Sequence, residues 1–334
     1  MNEFDRYDVL GIGNAIVDVV AHAGDDLLEA LGLEKGAMTL IDEARCEDLY
    51  ARMGPARETS GGSCANTMAA LAALGGRAAY VGRVRDDQLG RVFSHDIRAA
   101  GVAFRNPPAP DGPATARSLV FVTEDAQRTM QTYLGACVEL SPSDVEEDLV
   151  RRADVTYLEG YLWDRPAAKD ACRKAAEIAH AVGNSLSLTL SDPFCVDRWR
   201  GEFRALVQGQ VDILFANEAE ITSLYETASF EDAARQARGE VGLAVLTRGA
   251  KGALVLQGEQ AVEIRAEPVA RLLDTTGAGD LFAAGFFRGL AGCMGLADSG
   301  RLGALAAAEI LSQYGARAEQ PLLPLLERLR SAAA

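Results

Sequence analysis

Between residues 150 and 248 the chain alternates short apolar runs with longer amphipathic ones, and this alternation limits the possible fold more than any other feature. The runs 154–158, 185–190, 211–215 and 243–247 read as strands, and 166–181, 196–207, 217–225 and 230–238 read as helices. Strands that are apolar along most of their length are buried on both faces. The pattern therefore predicts parallel βαβ units with helices on both sides of a sheet. Ligands gather at the carboxyl ends of such strands. The predicted strands end in suitable groups there: Glu159-Gly160-Tyr161 with Trp163, Ser191-Asp192-Pro193-Phe194, Asn217-Glu218-Ala219-Glu220, and Thr247-Arg248-Gly249-Ala250-Lys251-Gly252. No repeat or linker divides the 334 residues, so a single large domain over 1–334 is expected.

With 33 basic and 48 acidic residues the formal charge is -15, which argues against nucleic acid or an anionic membrane as a partner. An anionic ligand must then be held locally, and a helix N-terminus is the natural place. No apolar run reaches the roughly 18 residues that a bilayer span needs. The six cysteines show no Cys-x-x-Cys pairing and the chain opens with acidic residues, which together predict reduced thiols in a cytoplasmic protein. His22, His95 and His180 are too scattered to suggest a metal site.

The stretch 274–286 reads Asp-Thr-Thr-Gly-Ala-Gly-Asp-Leu-Phe-Ala-Ala-Gly-Phe. Polar and glycine residues give way to an apolar run, so a buried helix begins at this seam. Gly277, Ala278 and Gly279 offer backbone N–H groups with almost no side chain in the way, at the end where the helix dipole favours an anion. Asp280 follows in the first turn, placed to take a proton from an attacking hydroxyl. An ordinary N-cap and turn is the alternative.

Nearer the amino terminus, residues 7–12 read as a strand, and Gly11-x-Gly13 lacks the third glycine of a dinucleotide fingerprint. Asn14 and Asp18, four apart, would share one face of a strand and could bind sugar hydroxyls, unless that face is merely solvated. Gly61 and Gly62 let a ligand approach the backbone before a helix at 67–74, with Asn66 projecting from its start. The runs 116–123 and 128–134 flank the turn-like Glu124-Asp-Ala-Gln127 and predict a hairpin. Together with 14–41, the segment 113–137 would form a small sheet covering the site, a lid, from which Arg128 could reach a transferred phosphoryl group or make a salt bridge. Asn217-x-x-Glu220 puts hard oxygen ligands suited to Mg²⁺ on one helical face, and the same spacing suits a capping box.

Two of these strings resemble the signatures of the ribokinase or PfkB family of carbohydrate and nucleoside kinases: 274–286 at the carboxyl end, and Glu-Thr-Ser-Gly-Gly-Ser-Cys-Ala-Asn at 58–66, continued by 79–90. Gly11-Ile-Gly-Asn14-x-x-x-Asp18, Gly61-Gly-Ser-x-x-Asn66, Leu190-Ser-Asp-Pro-Phe194 and 211–218 are similar to segments of the adenosine kinases within it. Met38 departs from the glutamine of the animal members. The resemblance implies a ribokinase-like three-layer α/β/α domain with a mostly parallel sheet and a small β lid. It also implies ATP-dependent phosphorylation of a purine nucleoside at its 5′-hydroxyl, adenosine to AMP. By the same resemblance Asp280 is the base, with Gly277, Ala278, Gly279 and Arg128 at the transferring group. Asn14, Asp18, Gly61, Gly62 and Asn66 would hold the ribose, and Tyr161 and Phe194 the base ring. Asn217, Glu220, Thr247, Gly249, Gly252, Asp274 and Thr275 would serve ATP, with Mg²⁺ at Glu220 through water. Inosine, guanosine, a ribose- or fructose-class sugar, a non-enzymatic nucleoside sensor, a need for K⁺, and a monomer or homodimer all stay open.

Overall fold

The computed structural model of the chain describes residues 6–125 and 127–331. The acidic opening and Ala126 of the predicted turn lie outside them. Nine strands form one sheet in the order Gln260–Ile264, Ala253–Gln257, Leu243–Thr247, Ile213–Asn217, Ser185–Thr189, Ala153–Glu159, Tyr7–Ile12, Ala78–Val81 and Ala103–Phe104. Pairing is parallel from Leu243–Thr247 to Ala103–Phe104, and antiparallel for the hairpin at the other edge.

Period-two alternation divides the side chains of this sheet between two cores. Val9, Tyr157, Phe215 and Val245 pack toward the helices Ser63–Ala73, Ala278–Ala291 and Leu296–Leu311. Leu10, Leu158, Leu214 and Leu246 pack toward Pro166–Ala181, Pro193–Gly209 and Phe230–Glu240. The result is the three-layer α/β/α arrangement that the alternating runs predict. Among the described residues no helix is long and apolar enough to cross a membrane.

Element ends differ from the sequence reading for local reasons. The helix expected at 196–207 is Pro193–Gly209, because the Asp192 carboxylate caps it by accepting from the Phe194 N–H at 2.7 Å and Pro193 suits a first helical turn. The helix expected at 67–74 begins at Ser63. Asn14 does not share a strand with Asp18: it lies in the connection between Tyr7–Ile12 and Ile16–His22.

A second, five-stranded sheet runs Met38–Leu40, Arg128–Tyr133, Ala116–Val122, Ile16–His22 and Ala56–Gly61. The predicted hairpin is present, with Ala116–Val122 and Arg128–Tyr133 antiparallel. The edge strand Ala56–Gly61, paired with Ile16–His22, has no counterpart in the sequence reading. Ala-Arg-Glu-Thr-Ser-Gly carries no apolar alternation, and the strand is exposed at Ala56 and Arg57, half-buried at Glu58 and Thr59, and buried at Ser60 and Gly61. Register places Thr59, Asp18, Ser118, Thr132 and Leu40 in one row across the sheet, and the Ser118 and Thr132 hydroxyls meet at 3.0 Å. Directly paired residues point to the same face. Arg128, two and four residues from Met130 and Thr132, shares it.

Candidate active site

The carboxyl ends of the large sheet and the Asp18 face of the small one converge on the N-termini of two helices. The Ser63–Ala73 and Ala278–Ala291 helices pack against each other, which brings Asp280 onto the first turn of its neighbour. Its carboxylate accepts from Ser63 Oγ at 2.6 Å and from Asn66 Nδ2 at 3.1 Å. Burial pushes the Asp280 carboxyl up to about 6, while Ser63, Asn66 and the Arg317 guanidinium pull the other way. A half-buried carboxylate poised just below neutrality matches what proton abstraction needs.

Gly277 is the N-cap of this helix and adopts φ 80°, a left-handed conformation that suits glycine. The expectation of three open amides is met in part. Ala278 N–H is taken by Thr275 O at 3.2 Å, whereas no acceptor among the described residues meets the N–H groups of Gly277, Gly279 and Asp280. Arg128 reaches this loop from the small sheet, donating to the Asp274 carboxylate and, at 2.9 Å, to Thr276 Oγ1. Its charge is thus committed to Asp274. Asp274 in turn accepts from Thr276 N–H at 3.0 Å, Thr276 Oγ1 at 2.7 Å and Gly315 N–H at 2.8 Å, so it shapes the loop from within. Thr275 is exposed beside it.

Asp18 stands apart from every other carboxylate of the cleft. It is half-buried, and no hydrogen-bond donor among the described residues reaches it. Its carboxylate lies where a side chain at Gly61 would be, and a Cβ at Gly62 would strike the Asn14 carbonyl, so both glycines serve close approach. Burial pushes the Asp18 carboxyl up to about 6, opposed by Arg317 and then Arg128, with Asp280 adding to the rise. Asn66 is 5 % exposed and its Oδ1 has no partner, although its Nδ2 is engaged. Acceptors left unfilled in a cleft are costly unless a ligand fills them.

Asn14 is turned toward the protein: its Nδ2 donates to Glu159 at 3.1 Å. Glu159, at a strand end, also accepts from the Cys64 N–H at 3.0 Å and so caps the Ser63–Ala73 helix. Its burial, 1 % exposed, raises its carboxyl to about 7 from the usual 4.5, against the pull of the Cys64 and Asn14 hydrogen bonds. The sign for stability follows directly. Between about pH 4.5 and 7 the folded state holds a proton that the unfolded state has released, so this group's contribution to stability is lost as pH rises through that window. Glu159→Gln, with Asn14 turning its amide over to match, should show a smaller fall in Tm between pH 5 and 8 than the parent. Equal falls would refute the protonated, buried Glu159.

At the far side of the large sheet Asn217 pairs with Thr247 in register. Asn217 and Glu220 form the capping box: Glu220 N–H donates to Asn217 Oδ1 at 2.9 Å, and the Glu220 carboxylate accepts from Asn217 N–H at 2.9 Å and Nδ2 at 2.6 Å. Burial raises the Glu220 carboxyl to about 7. Gly249 is exposed with open space around it, whereas Gly252 packs its Cα against the Ile264 carbonyl at φ 87°, so its glycine serves the adjoining strand. Tyr161 and Phe194 are not in ring contact. Tyr161 is half-buried, its hydroxyl donating to Ser191 O at 3.3 Å, and Phe194 is 74 % exposed.

Ser63, Arg317 and the capping role of Glu159 are absent from the sequence reading. Ser63 lies inside the 58–66 signature and could have been read there, but Arg317 comes from a loop with no local pattern. A cavity of about 550 Å³ opens where the small sheet meets the strand-end loops, lined by Leu40, Ile41, Thr132, Leu134, Val138, Asp164 and Arg198 among others. Leu40 and Thr132 put it on the row that contains Asp18.

Residues 38–322 match the profile of the pfkB family carbohydrate kinases, and the chain belongs to that family. It is therefore an ATP-dependent phosphotransferase of ribokinase-like fold, as the two signatures implied. Among solved structures it is similar to the adenosine kinase from Sinorhizobium meliloti, with 52% identity, a TM-score of 0.89, and coverage of 97% of this chain and 99% of that one. A probable sugar kinase protein from Rhizobium etli CFN 42 is 51% identical with a TM-score of 0.90, covering 98% and 99%. The ATP-dependent ribose-1-phosphate kinase of Halopiger xanaduensis is 30% identical over 255 residues, 74% of this chain and 78% of its own length.

Proposed function

We propose that this kinase phosphorylates the 5′-hydroxyl of a purine nucleoside, converting adenosine to AMP. The observation that carries the reading is Asp18: a half-buried carboxylate without an internal donor, in the row whose Thr132 and Leu40 line the 550 Å³ cavity, although Asp18 itself does not line it. Two ribose hydroxyls would satisfy its oxygens, and Asn66 Oδ1 would accept from the sugar as well. Strands lie about 4.8 Å apart, so the row from Asp18 to Leu40 gives room for a base beyond the ribose. The likeness to the Sinorhizobium meliloti adenosine kinase supports the same choice.

With ribose on Asp18, the 5′-hydroxyl lies toward Asp280, which takes its proton as the oxygen attacks the γ-phosphorus of ATP in line. The free N–H groups of Gly279 and Asp280 stabilise the charge on the transferring group, and Arg128, which holds the loop through Asp274 and Thr276, keeps an unpaired Nε donor. The nucleotide lies along Thr247, Gly249 and the loop from Thr275 to Gly279. The small sheet acts as the lid, excluding water that would otherwise accept the phosphoryl group.

A magnesium ion in a cage of protein ligands does not fit, since no cluster of three or more His, Cys, Asp or Glu is found among the described residues. Glu220 keeps lone pairs after Asn217 has taken two, which fits an ion that retains its own waters and binds chiefly to phosphate. Such an ion, held by Glu220 through water, would neutralise phosphate charge.

A thermal-shift series with adenosine, inosine, guanosine, ribose and fructose, followed by coupled ADP release, tests the assignment. Adenosine should give the largest stabilisation and the fastest release. A clear sugar response with none to nucleosides would turn the reading to a sugar kinase, which the Rhizobium etli and Halopiger relatives keep in view. Stabilisation by adenosine without ADP release would mark a sensor.

A further inference from the structure

One guanidinium lies at the centre of the cleft's charges. Arg317, from the loop that follows the Leu296–Leu311 helix, donates Nε to Ser60 O at 2.8 Å, Nη2 to Ser60 Oγ at 2.8 Å and Nη1 to Ala65 O at 2.9 Å. These three bonds bridge the end of the Ala56–Gly61 strand and the first turn of the Ser63–Ala73 helix, spanning Gly61, Gly62, Ser63 and Cys64. Asp18 rests on Gly61, and Asp280 is held by Ser63 and Asn66, so both carboxylates are built on the corner that Arg317 fastens.

We propose that Arg317 is a positioning residue of this kinase: it fixes the strand-to-helix corner and balances the negative charge of Asp18 and Asp280 together, so that both work as anions.

The charged and titratable groups around it come from every element of the cleft. Asp96, on the Gln88–Ala99 helix, accepts from Ser60 N–H at 2.7 Å and Ser60 Oγ at 2.6 Å. Asp18 faces Arg317 from the small sheet, Asp280 from the Ala278–Ala291 helix, and Tyr80 from the large sheet. The Glu159 carboxyl, raised by burial and by the Asp280 charge, is the further titratable group coupled to Asp280, and Arg128 also acts on Asp18. Arg128 is already committed to Asp274. For Asp280, Arg317 is the one cation among the described residues that counters burial, and for Asp18 it outweighs Arg128. An arginine suits this place because its planar fork makes three directed bonds while staying charged when buried. Neither Asp18 nor Asp280 makes a hydrogen bond to it, so its effect on them is through space.

The catalytic consequence rests on the reading of Asp280 as base, whereas the electrostatic one does not. Two measurements separate them: the pH profile of kcat/KM for adenosine, and the carboxyl titrations of Asp18 and Asp280 followed by ¹³C NMR. In Arg317→Gln the acidic limb should move up by about one pH unit, a loss of about tenfold on that limb that narrows toward pH 9, and both titrations should move with it. Arg317→Lys keeps the charge but not the fork. It should lower the rate at all pH values while holding the limb and the titrations near the parent's. Unmoved titrations in Arg317→Gln, or an equal and pH-independent loss in both variants, would overturn the proposal. If Arg317→Gln does not fold, a limb displaced in Arg317→Lys overturns it and a limb in place supports it. Displaced titrations together with near-parental turnover in Asp280→Asn would instead remove the base assignment and leave the charge balance standing.

Discussion

Asp280→Asn is expected to lower kcat by about 10³-fold while changing adenosine affinity only a few-fold, since general-base catalysis contributes about 10²–10⁴ and the amide cannot take the proton. The substitution preserves the local geometry. Its oxygen can accept from Asn66 Nδ2, and its nitrogen can donate to Ser63 Oγ, the two groups that hold Asp280 at 3.1 and 2.6 Å. The stability change should run opposite to the activity. Burial raises the Asp280 carboxyl from 3.8 to about 6, so at pH 8 the parent carries a charge that folding disfavours and the variant does not. The Tm at pH 8 should therefore be equal or higher. Steady-state ADP release, calorimetric adenosine binding and a pH 8 melt test all three points. A variant that kept more than a tenth of the parental kcat would remove the base role.

Asp18→Ala is the second large effect. Hydrogen bonds to a charged group are worth about 1.5–3 kcal/mol each, and two to the ribose would put the loss in kcat/KM near 10³-fold, mostly through KM. The variant should also lose its ability to tell adenosine from 2′-deoxyadenosine, because the group proposed to read the hydroxyl is gone. Removing an unsatisfied, half-buried carboxylate leaves no internal donor behind, so stability should not fall. A parental ratio of adenosine to deoxyadenosine turnover in Asp18→Ala would mean that the hydroxyls are read elsewhere. The nucleoside assignment would then lose the observation that carries it.

The parts of the site that were legible in the sequence are those encoded over a few neighbouring residues. The glycines and aspartate of 274–286 announce a helix start with a carboxylate in its first turn, and the structure has that arrangement. The capping alternative for Asn217 and Glu220 is realised in full, because a three-residue spacing dictates it with no help from the rest of the chain. What misled was equally local. Asn14 and Asp18 look like one strand face, yet the chain bends between them and turns Asn14 to Glu159, 145 residues away. The strand Ala56–Gly61 carries no apolar alternation to announce it.

By itself, then, the sequence determined the layered α/β architecture, the glycine turn and the aspartate in the first turn of the helix behind it, because periodicity and glycine placement act on the backbone within one or two turns of chain. Tertiary structure alone decided which side chains meet there. Ser63 reaches Asp280 across 217 residues and Arg317 reaches Ser60 across 257. Such contacts follow from helices packing on a sheet and from burial that makes charges seek one another, and no local pattern records them.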